Sequence, residues 1–230
     1  MAFGKGAGQG LNYSVDLVMC IDGTGSMYDI IDDVKTKALS FYPMFVEAME
    51  AAGKSVQELR VKLITFRDYE CDSEPMQVSP FYALGGDCDE SEDFNKFASS
   101  IEAVGGGDAA ENALEAIALA FKSDWTKTGA VRRHIVMVYT DAPALELGAR
   151  AGCPGYPTDL PKNLAELHEL WEGQDMEPRA KRLLMFAPDT EPWTELTTWA
   201  QAFHLASIKA GADATNEDLE ACIKLLVNSI

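Results

Sequence analysis

Two apolar runs, each stopping at an aspartate, constrain this chain most. Residues 14–21 read Ser-Val-Asp-Leu-Val-Met-Cys-Ile and end at Asp22-Gly23; residues 135–139 read Ile-Val-Met-Val-Tyr and end at Thr140-Asp141. Short, nearly continuous apolar runs of this kind suit strands buried on both faces. Residues 59–66 form a further strand pattern, and shorter ones fall at 81–84, 183–186 and 204–208. Between them the period changes. From Met27, apolar residues recur at Ile30, Ile31, Val34, Ala38, Phe41 and Phe45, the spacing of a helix with one buried face. Pro43 inside that pattern predicts a kink or a break into two helices. Helical patterns also cover 92–103, 109–121, 160–171, 193–203 and 216–227, the first two split by Gly105-Gly106-Gly107. Strands alternating with helices predict an α/β, doubly wound, mostly parallel central sheet flanked by helices. No linker, low-complexity stretch or repeat divides the chain, so residues 14–230 read as one domain behind a flexible Gly-rich lead-in, 1–13.

Charge narrows the partners. The 230 residues carry 37 acids against 19 bases, a formal net charge of −18. So acidic a body repels phosphate backbones and anionic headgroups, which makes nucleic acid and membrane surfaces poor partners. No apolar run approaches the roughly 20 residues of a membrane-spanning helix, and the opening decapeptide lacks the apolar core of a secretory signal. The glycines of that decapeptide follow no strand, so they do not form a dinucleotide-binding loop. Five cysteines at scattered spacing, without a Cys-x-x-Cys pair, fit free thiols in a reducing cytoplasm better than a disulfide framework or zinc site. The alternative is a single Cys71–Cys88 bridge between two loops.

In open parallel sheets, ligands bind beyond the carboxyl ends of strands, where strand order reverses. Asp22 and Asp141 both occupy such ends. Asp22-Gly23-Thr24-Gly25-Ser26 places a carboxylate and two hydroxyls on alternate residues of one tight turn. An all-oxygen set suits a hard cation such as Mg2+. Neutral hydroxyls leave the ion net positive, able to recruit a carboxylate from outside. Plainer roles exist for the same residues: Ser26 as an N-cap, Thr24 within its turn, Asp108 with Glu111 as a capping box, Asp141 as a cap before Pro143. The convergence of all of them at Gly-punctuated strand ends favours the metal.

These residues resemble the Asp-x-Thr-Gly-Ser-Met signature of von Willebrand factor A (VWA) domains, and Thr140-Asp141 is similar to their later metal-site aspartate. Phe66-Arg67-Asp68 and Gly105-Gly106-Gly107-Asp108-Ala109-Ala110-Glu111 resemble variants found in hemicentin-type and alpha-kinase-associated VWA domains, and small soluble bacterial proteins of this type exist. The resemblance spans roughly 15–208 and implies a VWA/Rossmann-like fold. It also implies a metal-ion-dependent adhesion site (MIDAS), where Mg2+ bridges the domain to an acidic residue of a partner protein. By this resemblance Asp22, Thr24, Ser26 and Asp141 match metal-binding positions. The usual loop threonine is missing, and Asp108 is the expected substitute. A third carboxylate there strengthens the hold on the ion and favours Mn2+ or Ca2+. Gly23, Gly25, Arg67, Asp68 and Gly107 are the expected partner-facing positions.

Between Asp68 and Asp93 lie nine acids and no base. A solvated face is the plain reading, and a docking surface for a basic segment or a rim beside the metal the alternative. An EF-hand starting at Asp87 fails, because Glu92 and Ala98 stand where glycine and a closing glutamate are required. The resemblance implies a non-enzymatic, metal-dependent interaction module, and two other functions compete with it. A metal-assisted hydrolase or phosphoryl-transfer enzyme lacks a second aspartate two residues after Asp22, a suitably spaced lysine and a histidine near Ser26. A scaffold would bind through its acidic loop, or through the Trp193/Trp199 helix, without the metal.

Overall fold

Alternation along β1 (Asn12–Asp22) decides the layering. Leu17, Met19 and Ile21 point to one face of the sheet and Val18 and Cys20 to the other, all within 2% of full burial. A computed structural model describes residues 12–107 and 110–228, and the strand and helix boundaries below are taken from it. β2 (Ser55–Phe66), β5 (Val131–Tyr139), β6 (Lys181–Ala187) and β7 (Ala202–Ala206) run parallel to β1, while the short β3 (Met76–Val78) and β4 (Tyr82–Ala83) pair antiparallel with β2. The spatial order is β3-β2-β1-β5-β6-β7, with β4 also on β2. The chain therefore runs outward from β1 to β2, then returns to the other side of β1 as β5. Strand order reverses between β1 and β5, and Asp22 and Asp141 follow those two strands.

Helices cover both faces, as the alternation requires. α1 (Ile31–Ala51), α2 (Ser91–Ser100) and α6 (Asn216–Asn228) contribute Val34, Phe41, Phe94 and Leu219 to one core. α3 (Ala113–Phe121), α4 (Leu164–Glu172) and α5 (Trp193–Leu196) contribute Ile117, Phe121, Trp171 and Trp193 to the other. No helix among the described residues is long and apolar enough to cross a membrane.

Five local expectations change. α1 is not broken at Pro43: its buried stripe from Ile31 to Met49 continues across the proline and packs on the sheet throughout. α3 starts at Ala113, because Glu111 bridges to Ala144 instead: its amide donates to Pro143 O at 3.1 Å and its carbonyl accepts from Leu145 N at 2.8 Å. The helical pattern at 193–203 yields only the single turn of α5, since Ala202 and Phe203 pair with Leu183 and Leu184 as the start of β7. Gln201 turns the chain into that strand with a φ of 69°. The acidic stretch is also divided. Residues 68–74 follow the carboxyl end of β2, whereas 84–93 follow β4, which pairs with Val61 and Arg60 and leads back toward the amino end of β2. β1 starts at Asn12, so the expected lead-in keeps only residues 1–11, which lie outside the described residues.

Candidate functional site

The turn after β1 assembles a chain of oxygens. Asp22 is fully buried. Its Oδ1 accepts hydrogen bonds from the Thr24 amide (2.9 Å) and the Thr24 hydroxyl (2.7 Å), and its Oδ2 accepts from the Thr140 hydroxyl (2.6 Å). Thr24 Oγ1 and Ser26 Oγ stand 3.1 Å apart, and Ser26 Oγ donates to Asp141 Oδ1 at 2.9 Å. The four residues matched to the family's metal-binding positions are thus brought together from two strand ends. Ser26 is exposed and Asp141 half-buried, so the solvent side of the cluster is formed by a hydroxyl and a carboxylate with Asp22 beneath.

Of the plainer roles, Thr24's hydrogen bond within its own turn holds, whereas Ser26 and Asp141 do not act as caps. Ser26 lies inside a 3-10 turn, Gly25–Asp29, and spends its hydroxyl on Asp141. Thr24 stands at the N-cap position of that turn but makes no capping bond. Thr140, not Asp141, caps the following backbone, accepting from Ala142 N at 3.1 Å. Burial pushes the Asp22 carboxyl up to about 6, against the Thr140 and Thr24 hydrogen bonds, and nearby Asp141 adds to the rise. A cation alongside would favour the charged form.

The donor set fits a hard divalent ion. Oxygen ligands at about 2.0–2.1 Å around an octahedral ion stand about 2.9 Å from their neighbours, by geometry. The Thr24–Ser26 and Ser26–Asp141 separations, 3.1 and 2.9 Å, match that spacing. Among the described residues no group of three or more His, Cys, Asp or Glu is placed to hold a metal. The candidate site therefore rests on two carboxylates and hydroxyls. Asp108 lies outside the described residues, and with it the question of whether it replaces a threonine.

A glycine loop and an arginine hold the turn. Gly25 N donates to Gly105 O (3.0 Å) and Val104 N to Gly23 O (2.9 Å), tying the loop before α3 to the turn. A Cβ on Gly106, whose φ is +81°, would meet Glu111 Oε1 at 3.0 Å and Thr24 Cβ at 3.1 Å. Gly23 is buried, with Thr65 Cγ2 only 2.6 Å from where a Cβ would stand; Gly25 is exposed in the turn itself, and Gly107 is exposed against Cys71 and Asp68 instead of the cluster. Arg67 was expected at the partner-facing rim and is instead enclosed. Its guanidinium donates to three backbone carbonyls, Gly23, Glu74 and Glu102, each at 2.9 Å. Asp68 is enclosed as well, in a bidentate pair with Arg150 at 3.0 and 2.9 Å. Burial alone would raise the Asp68 carboxyl; the Arg150 hydrogen bonds and charge and the Glu70 amide outweigh it and hold it below its ordinary value.

Sequence reasoning missed two residues here. Thr140 was read only as the neighbour of Asp141, although a hydroxyl one residue past a buried strand end is placed to reach the next strand's carboxylate. Glu111 was read as part of a cap, and its buried side chain lies against Gly106 instead. The five cysteines are unpaired, Cys71 and Cys88 both exposed.

A family model described as von Willebrand factor A domain matches residues 16–149, more than half of the chain. No curated protein matches. Among solved structures, proximal thread matrix protein 1 from the mussel byssus superposes with a TM-score of 0.53 at 13% identity, over 94% of this chain and 46% of that one. A form of the same mussel protein with a zinc-occupied MIDAS motif gives 0.51 at 14% identity, over 93% and 46%. The pilus adhesin SpaC from Lactobacillus rhamnosus GG gives 0.54 at 12% identity, over 93% and 31%. The chain spans less than half the length of each, and at these identities the likeness is one of fold.

Proposed function

This chain belongs to the von Willebrand factor A domain family, and on that premise we propose that it is a non-enzymatic interaction module that binds a partner protein through a divalent cation. Ser26, Asp141 and Thr24 hold the ion, Mg2+ or alternatively Mn2+ or Ca2+, with Asp22 beneath supplying charge and fixing the Thr24 and Thr140 hydroxyls. The ion supplies an electrophilic point for an acidic side chain of the partner. The observation that carries this reading is the run of hydroxyl and carboxylate oxygens at 2.9–3.1 Å, open to solvent at Ser26, where strand order reverses. The zinc-occupied motif of the mussel protein, on the same fold, supports a divalent ion at this turn. The unpaired cysteines support work in a reducing cytoplasm.

Calorimetric titration of Mg2+ and Mn2+ into the wild type, Ser26→Ala and Asp141→Ala tests the site. Binding at millimolar metal or below is expected for the wild type, with at least a tenfold loss in each variant. A wild type that takes up no metal at millimolar concentration ends the proposal. A pull-down with and without EDTA then tests whether capture of a partner depends on the ion.

A further inference from the structure

The segment that follows β5 serves two places at once. It begins at Asp141, in the oxygen cluster, and three residues later Ala144 enters the wall of a groove of about 410 Å³. Three residues of chain span at most about 11 Å, so groove and cluster lie within reach of one short extended peptide. The segment is anchored between them: Trp193 Nε1 donates to Ala142 O at 3.0 Å, and Glu111 bridges to Ala144.

The groove has an apolar floor and a charged rim. Leu114, Leu147 and Pro192 are buried at its base and Leu164 is half-buried beside them. Glu146, Glu191 and Glu195 stand exposed around it, against a single lysine, Lys162. None of these four side chains forms an ion pair among the described residues. Three carboxylates against one ammonium over an apolar floor complement an apolar side chain followed by a basic one.

We propose that this groove is the specificity-determining half of the interaction surface, and that it takes an apolar–basic pair of the partner three or four residues from the acid bound at the metal. The proposal rests on the metal-dependent reading above and names the partner's chemistry: a short extended segment with an acid at one end and a Leu-Lys type pair at the other. In a body of net charge −18, the basic residue also offsets the repulsion that an acid-bearing partner meets.

Fluorescence polarisation with a labelled hexapeptide of glutamate, two glycines, leucine, lysine and glycine tests this, beside a control carrying glutamate in place of lysine. In millimolar Mn2+ the lysine peptide is expected to bind the wild type at least tenfold more tightly than the control. The double variant Glu146→Lys/Glu195→Lys, both at exposed positions, should reverse that preference while keeping its far-UV circular dichroism and its Mn2+ affinity. Equal affinities for the two peptides, a preference unchanged in the double variant, or no binding of either peptide overturns the groove. EDTA separates the two readings. A lysine preference that survives EDTA undiminished upholds the groove and removes the metal from recognition; binding of both peptides alike that EDTA abolishes upholds the metal and removes the groove.

Discussion

The turn after β1 and the acidic residues after β2 and β4 hold carboxylates in opposite ways. The turn has few, and its solvent side is formed by Ser26 and Asp141, whose hydrogen bond joins two strand ends. The acidic stretch has nine, and several are spent on the chain's own arginine and backbone amides, some buried and some at the surface. Asp68 takes Arg150 and Asp72 takes the amides of Asp68 and Gly106; Asp89 takes those of Gly85 and Ser91, and Glu90 that of Ala83. Density of charge in sequence therefore marks loop fastening here, and convergence of a few oxygens marks the candidate site.

Removing a fastening carboxylate should unsettle the fold while removing a site carboxylate should not. Asp68→Ala strips a fully buried carboxylate from an Arg150 that is itself 17% exposed, and should cost about 3 kcal/mol in urea unfolding. Asp141→Ala should leave metal-free stability nearly unchanged. Equal losses would erase the distinction.

Metal should act on the other member of the pair. At a concentration of about 100 times Kd, Mg2+ should stabilise the wild type by about 2.7 kcal/mol in urea unfolding, an increment absent from Asp141→Ala and retained by Asp89→Ala. Gly105→Ala probes the join between the regions. With a φ of +74° and Asp72 Oδ1 occupying the place a Cβ would take, it should cost about 2 kcal/mol and weaken metal binding as well, because Gly105 O holds Gly25 N.

Acidity should report the fastening. The Asp68 carboxyl is held below its unfolded value, so its stabilisation is present above about pH 4 and is lost as pH falls through the folded value. The stability of Asp68→Asn should therefore fall less steeply than the wild type's below pH 4. The smallest effect belongs to Glu70, the exposed partner of Arg150; Glu70→Ala should change stability by no more than about 0.5 kcal/mol.

The sheet was legible because burial on both faces writes itself as continuous apolar runs, and β1, β2, β5 and β6 each extend the run that marked them. Asp22, Thr24 and Ser26 were legible because one tight turn brings alternate residues together whatever the rest of the chain does. β3 carries no such run: Met76–Val78 is a strand only because β2 offers Ile64–Phe66 as a partner. Asp68 and Arg150 stand 82 positions apart, and Arg67 finds its three carbonyls in separate segments. No local period encodes such meetings. The start of α3 was misplaced for a related reason, since the pull on Glu111 comes from the loop after β5.

Arg67 carries a consequence of its own. Its hydrogen-bond partners are the carbonyls of Gly23, Glu74 and Glu102, and it forms no ion pair among the described residues. The consequence is mechanical. One side chain ties the turn after β1, the loop after β2 and the segment that leads into the glycine loop, so the three hold their places together and a shift in any one is passed to the other two.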